Sequence, residues 1–114
     1  MKNYLFGLVL LFSGNLAFAG YNNNIMGQIT GVLTYPNGVV YVTLSNQPAS
    51  HAGGCSPAFF ELDKNMDPEI LNRMYSRILT AYAKGESLNI GYDDGSKSDS
   101  ACSDSGVIPI FRAG

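Results

Sequence analysis

The stretch from Asp67 to Gly85 spells out one complete helix, and its place in the chain limits the folds open to the rest. Asp67 can accept hydrogen bonds from the free amides of a first turn, and Pro68 suits the first helical position. Glu69 favours the positive end of the helix dipole, Lys84 the negative end, and Gly85 offers a left-handed stop. Projected at about 100° per residue, Ile70, Leu71, Met74, Tyr75, Ile78, Leu79, Ala81 and Tyr82 share one half of the cylinder. That arc, near 180°, is wider than the roughly 100° stripe a surface helix needs to face one core. Part of it is therefore expected either to lie deep across the chain's own fold or to meet another chain.

Period-two patterns flank this helix. Residues 21–24, Tyr21-Asn22-Asn23-Asn24, are polar and read as a frayed leader. From Ile25 onward a strand is expected with Ile25, Ile29, Leu33 and Tyr35 on one face and Gln28, Thr30 and Thr34 on the other. Gly27 and Gly31 interrupt its apolar face, as in a strand that bends around a small barrel. Tyr35-Pro36-Asn37-Gly38 then supplies a tight turn, and Val39 to Leu44 is a second strand with Val40, Val42 and Leu44 on one face. Residues 45–57 contain Pro48, Gly53, Gly54 and Cys55 and read as a loop. Residues 58–63 alternate again as a third strand, residues 87–92 as a fourth, and residues 107–112 as a fifth. Pro109 marks that last strand as an edge or a bulged one.

The order strand, strand, strand, helix, strand, strand matches an OB-fold, a five-stranded Greek-key barrel with its helix between the third and fourth strands. The fold class is thus mainly β with one helix, and an open sheet packed on one helix is the rival architecture. A ferredoxin-like sandwich needs a helix after the first strand, where Pro36-Asn37-Gly38 leaves no room.

Residues 1–19 read as a secretory signal peptide: Lys2, an apolar run from Tyr4 to Phe12, and Ala17-Phe18-Ala19 before Gly20. The apolar run is short of the roughly 20 residues a membrane-spanning helix requires, so no membrane span is expected after cleavage. Residues 20–114 make one small domain in the periplasm or outside the cell. Without Lys2, six basic residues face nine acidic ones, a net charge of −3. Export and acidity both argue against nucleic acid as a partner. Cys55 and Cys102 are both in the exported part, so a disulfide between them is expected. Closing such a loop is worth about 4 kcal/mol in the chain-entropy account.

Groups for catalysis are sparse, and no enzyme, cofactor or metal is expected. His51 is the single imidazole, in a polar loop, and reads first as a solvated residue and second as a ligand contact. The run from Asp93 to Asp99 lacks the ligand spacing and terminal Glu of an EF-hand and reads as an acidic, solvated turn. Glu61 and Asp63 fall on one strand face, which they are expected to keep wet. The aromatics say more. Tyr41 and Phe59 sit opposite the aliphatic face, on the second and third strands, where OB-folds bind oligosaccharides and oligonucleotides. Ring stacking on sugars is the chemistry such groups offer. Packing beneath the 45–57 loop or against a partner subunit is the structural alternative. Tyr41, Phe59, Asn37 and His51 are the candidate ligand-binding residues.

The run Ala81-Tyr82-Ala83-Lys84-Gly85-Glu86-Ser87-Leu88-Asn89-Ile90, a helix passing through Gly into an alternating strand, completes a recognisable layout. With the leader, two strands, a cysteine before the third strand and a late second cysteine, the chain resembles the B subunits of pentameric toxins. The resemblance is particularly to the subtilase cytotoxin and pertussis-like group, together with small exported bacterial proteins that share the layout. The resemblance implies an OB-fold that forms a ring oligomer, binds cell-surface glycans and carries a separate enzymatic toxin A-type subunit. A monomeric periplasmic OB-like domain that binds another protein or a small ligand is the alternative function.

Overall fold

The computed structural model describes residues 21–97 and 100–114. The signal peptide expected over residues 1–19 lies outside them. Among the described residues, five strands and one helix follow in the anticipated order: β1 (Asn23–Thr34), β2 (Val40–Leu44), β3 (Ser56–Leu62), α1 (Pro68–Lys84), β4 (Ser87–Tyr92) and β5 (Val107–Ala113). The strands close into a barrel in the order β1-β2-β3-β5-β4, and every neighbouring pair is antiparallel except β3 with β5. This is the OB-like arrangement. Closure leaves no free edge, so Pro109 is not an edge residue. The alternative expected for it, a bulge, lies nearby in β5, where Gly91 pairs with Arg112 and Tyr92 with Ile110, leaving Phe111 as the extra residue.

The barrel interior is filled by alternate residues, among them Val42, Phe60, Leu62, Leu88, Ile90, Ile108 and Ile110. Phe60 meets Tyr92 edge-on inside it, with 5.4 Å between ring centroids. One expectation fails in β1. Ile29 faces Leu44, but Gly31 faces Thr43, so Thr30 is an extra residue and the strand changes face there. Val32 consequently packs on the core, while Leu33 turns outward and is 43% exposed. Leu33 and Tyr35 therefore do not share the core face with Ile29.

The helix begins and ends where its signals place it. Asp67 Oδ2 accepts from the Ile70 amide, and Gly85 takes φ +67° while its amide returns to the Ala81 and Tyr82 carbonyls. Met74, Ile78 and Ala81 are the stripe it buries, and the Tyr75 hydroxyl meets the Thr34 hydroxyl at 2.9 Å near the end of β1. Burying Ile78 completely is worth about 2–3 kcal/mol. The outer margins of the wide arc stay uncovered: Ile70, Leu79 and Tyr82 are all exposed.

Residues 21–24 are not frayed. β1 starts at Asn23, which pairs with Tyr92, and the Asn22 amide donates to the Tyr92 carbonyl at 3.1 Å. Asn22 also binds the Asp94 carboxylate and the Ser96 hydroxyl through its side chain, each at 3.0 Å. Cys55 and Cys102 form the expected disulfide, tying the loop before β3 to the loop before β5. Gly27 lets the first of these loops approach β1, because a Cβ there would collide with the Asn46 side chain, whose Nδ2 donates to the Met26 carbonyl. Among the described residues, no helix is long and apolar enough to cross a membrane.

Candidate functional site

Two of the four residues singled out by the sequence, Tyr41 and Phe59, come together on the outer face of β2 and β3, and a third, Asn37, lines the cleft beside Tyr41 from the preceding turn. The Tyr41 and Phe59 rings stack with 5.0 Å between centroids and 15° between planes. Tyr35 approaches Tyr41 edge-on at 5.6 Å. Strand geometry explains the row: Val40 and Val42 point inward, so Tyr41 points out, and Phe59 sits diagonally from it across the β2–β3 ladder. β3 also departs from β5 over this stretch, since Ser56 pairs with Val107 but Phe60 with Ile108. Pro57, Ala58 and Phe59 thus bow away from the β5 ladder.

Beside the rings is a cleft of about 270 Å³ lined by Tyr35, Asn37, Val39, Tyr41 and Ser105. Asn37 belongs to the β1–β2 turn, which closes when the Gly38 amide donates to the Tyr35 carbonyl at 3.0 Å. Gly38 takes φ +89°, a conformation that glycine accepts readily. The Asn37 Oδ1 accepts from the Val39 amide at 3.2 Å, so Nδ2 is the donor that the side chain has left to offer. Ser105 comes from a second turn, Ser103 to Gly106, in which the Gly106 amide donates to the Ser103 carbonyl and Gly106 takes φ +79°. The disulfide at Cys102 holds the start of this turn. Two loops far apart in sequence therefore build the two walls.

Glu61 does not keep this face wet. It lies opposite Tyr41 in the ladder, yet it is only 2% exposed, and Ser103 Oγ donates to its Oε1 at 3.2 Å. The 103–106 turn covers it. Asp63 is half-buried and accepts from the Asn65 amide at 2.9 Å, while Asn65 Nδ2 reaches the Asp104 carboxylate at 3.5 Å. The lining residues include no lysine or arginine.

His51 is placed elsewhere. Its Nε2 lies 2.7 Å from the Asp93 carbonyl oxygen, and its Nδ1 accepts from the Gly53 amide at 3.1 Å and the Cys55 amide at 3.4 Å. Nδ1 as acceptor leaves the proton on Nε2, which donates to Asp93. The imidazole is a clasp between two loops rather than a solvated side chain. Asp93 is likewise not solvated: it is 4% exposed, and its Oδ1 accepts from the Gly95 amide and the Ser100 hydroxyl. Asp94 is held down to about pKa 2 by the Ser96 hydroxyl and amide, aided by the Asn22 and Asn23 side chains. Among the described residues no group of three or more His, Cys, Asp or Glu is arranged to hold a metal ion.

Tyr35, Val39 and Ser105 are the parts of the site that sequence reasoning missed. Tyr35 stands at the start of the same turn as Asn37, a signal that was there to use. Nothing local to Ser105 marks it, because only the fold brings residues 103–106 over β3. Compared with protein-family models, curated proteins and solved structures, the chain finds no match.

Proposed function

We propose that this chain is an exported, non-enzymatic domain that binds glycans on the outer face of β2 and β3. The observation that carries the proposal is the Tyr41–Phe59 stack, edged by Tyr35, beside a cleft with polar groups from Asn37 and Ser105. Aromatic rings present an apolar face to a sugar ring, while amide and hydroxyl groups bond its hydroxyls. The same face of OB-like barrels serves oligosaccharides and oligonucleotides. The chain's acidity and the absence of a cation from the lining favour the sugar. A volume just below the usual range for drug-sized ligands suits one sugar ring at a time. The disulfide supports a periplasmic or extracellular location.

The sharper form of the proposal is a toxin-B-like subunit in a ring oligomer, with a separate A-type chain supplying enzymatic activity. What supports assembly is the apolar margin of α1, Ile70, Leu79 and Tyr82, which the barrel leaves exposed. Glycan recognition is tested by screening immobilised oligosaccharides with the wild-type chain and Tyr41→Ala. Binding by the wild type that falls at least tenfold in the variant is the predicted result, and no binding to any glycan would contradict it.

A further inference from the structure

The three rings on the outer face do not offer their own faces equally. Tyr41 and Phe59 are nearly parallel, 15° apart with 5.0 Å between centroids, so each covers one face of the other. Tyr35 meets Tyr41 at 71° and 5.6 Å. The ladder register puts Tyr35 and Phe59 on opposite sides of Tyr41. Leu33 and Glu61 face Tyr41 from β1 and β3; Tyr35 lies two residues past Leu33 toward the turn, and Phe59 lies two residues from Glu61 in the other direction along β2. Tyr41 is therefore packed between two rings and is half-buried, whereas Tyr35 ends the row and is 45% exposed. Of the two end rings, Tyr35 lines the cleft with Asn37 and Ser105, and Phe59 does not.

The backbone fixes where that end ring starts. The Tyr35 amide donates to the Val39 carbonyl at 2.9 Å, and the Tyr35 carbonyl accepts from the Gly38 amide at 3.0 Å, so the turn holds the residue through both of its polar groups. Its direction follows from the extra residue at Thr30, which turns Leu33, and with it Tyr35 two residues on, to the outer face. A sugar laid on Tyr35 shares the cleft with the Asn37 Nδ2 and the Ser105 hydroxyl, which can bond its hydroxyl groups. A sugar laid on the far face of Phe59 would lie outside that cleft.

We propose, resting on the glycan-binding reading above, that Tyr35 is the ring on which the sugar stacks, while Tyr41 walls the cleft and Phe59 buttresses Tyr41 without touching the sugar. The test is the screen of immobilised oligosaccharides, probed with the full chain carrying Tyr35→Phe, Tyr35→Leu or Phe59→Leu. Tyr35→Leu keeps apolar bulk without a π-face and should weaken binding by about tenfold or more, whereas Tyr35→Phe and Phe59→Leu should stay within about threefold of the wild type. A second measurement needs no variant. With the oligosaccharide bound most tightly in that screen, sugar C–H protons should show nuclear Overhauser contacts to the Tyr35 ring of the wild-type chain and none to Phe59. Unchanged binding in Tyr35→Leu, an equal loss in Phe59→Leu, or contacts to Phe59 alone would overturn the assignment while leaving glycan binding standing. A loss in Tyr35→Phe as large as in Tyr35→Leu would make the hydroxyl the contact and overturn the stack. A screen in which no oligosaccharide binds the wild type would overturn both readings.

Discussion

His51 Nε2 lies 2.7 Å from the Asp93 carbonyl oxygen, and this contact joins the loop before β3 to the loop before β5 a few residues from where the disulfide joins them again. The two ties act on the same pair of loops, and the second of those loops supplies Ser105 to the cleft. The clasp is also tightly fitted. Gly95 takes φ +82°, and a Cβ there would strike the Gly53 amide nitrogen, so the loops touch backbone to backbone.

His51→Ala removes one donor and one acceptor that serves two amides. It should lower stability by about 1–3 kcal/mol, the usual cost of leaving partly buried polar groups without partners. Urea unfolding of the oxidised protein checks this, and an unchanged midpoint would show that the clasp carries no stability. Gly95→Ala should destabilise as well, because it combines a left-handed backbone with a collision.

Acid should cost stability through Asp94, whose carboxylate the folded loop holds ionised. The Asp94 pKa is lowered from 3.8 to about 2, first by the Ser96 hydroxyl, then by the Ser96 amide, with smaller help from Asn22 and Asn23. A depressed pKa means the unfolded state binds the proton more readily. The contribution is therefore complete above pH 3.8 and is lost as pH falls through about 2. Tyr92 has the opposite sign: burial, then the Asp94 charge, raises its pKa above 10.0, so its contribution is present below pH 10 and is lost as pH rises through the folded value. An NMR titration of the Asp94 carboxyl carbon checks the first point. A midpoint near 2 is expected, moving upward in Ser96→Ala, and a midpoint near 3.8 would contradict the loop geometry.

The helix separates stability from assembly. Ile78→Ala empties a fully buried site and should cost about 2–5 kcal/mol in thermal or chemical unfolding. Leu79→Glu with Tyr82→Glu changes only exposed positions and should leave the fold intact. If α1 mediates a ring, light scattering at tens of micromolar gives a multiple of the chain mass for the wild type and a single chain for the double variant. A wild-type monomer would remove the ring and favour a monomeric periplasmic binding domain.

The helix was readable from sequence because Asp67, Pro68, Lys84 and Gly85 are local signals, and its place after three strands pointed to the barrel. The faces of β1 were readable only as far as Ile29. Alternation keeps its phase until a residue is added, and the extra residue at Thr30 reversed Leu33 and Tyr35 relative to the core. Gly31 stood beside that point, but a glycine announces irregularity without saying how many residues it absorbs. Tyr41 and Phe59 were readable as outward-facing, since strand alternation decides a face. Glu61 was assigned to the right face and the wrong environment, because alternation cannot tell which loop will fold over it. The anchoring of Asn22 and Asn23 was equally out of reach, as their partners Asp94 and Ser96 lie more than seventy residues away.

Ligand is proposed to bind on the Tyr41–Phe59 face. Chemical-shift mapping of the oxidised protein, titrated with the tightest-binding oligosaccharide from the glycan screen, tests it most directly. Perturbations should centre on Tyr35, Asn37, Tyr41, Phe59 and Ser105, with α1 unaffected. Perturbations confined to α1 or to the His51 loop, with those five residues silent, would contradict it.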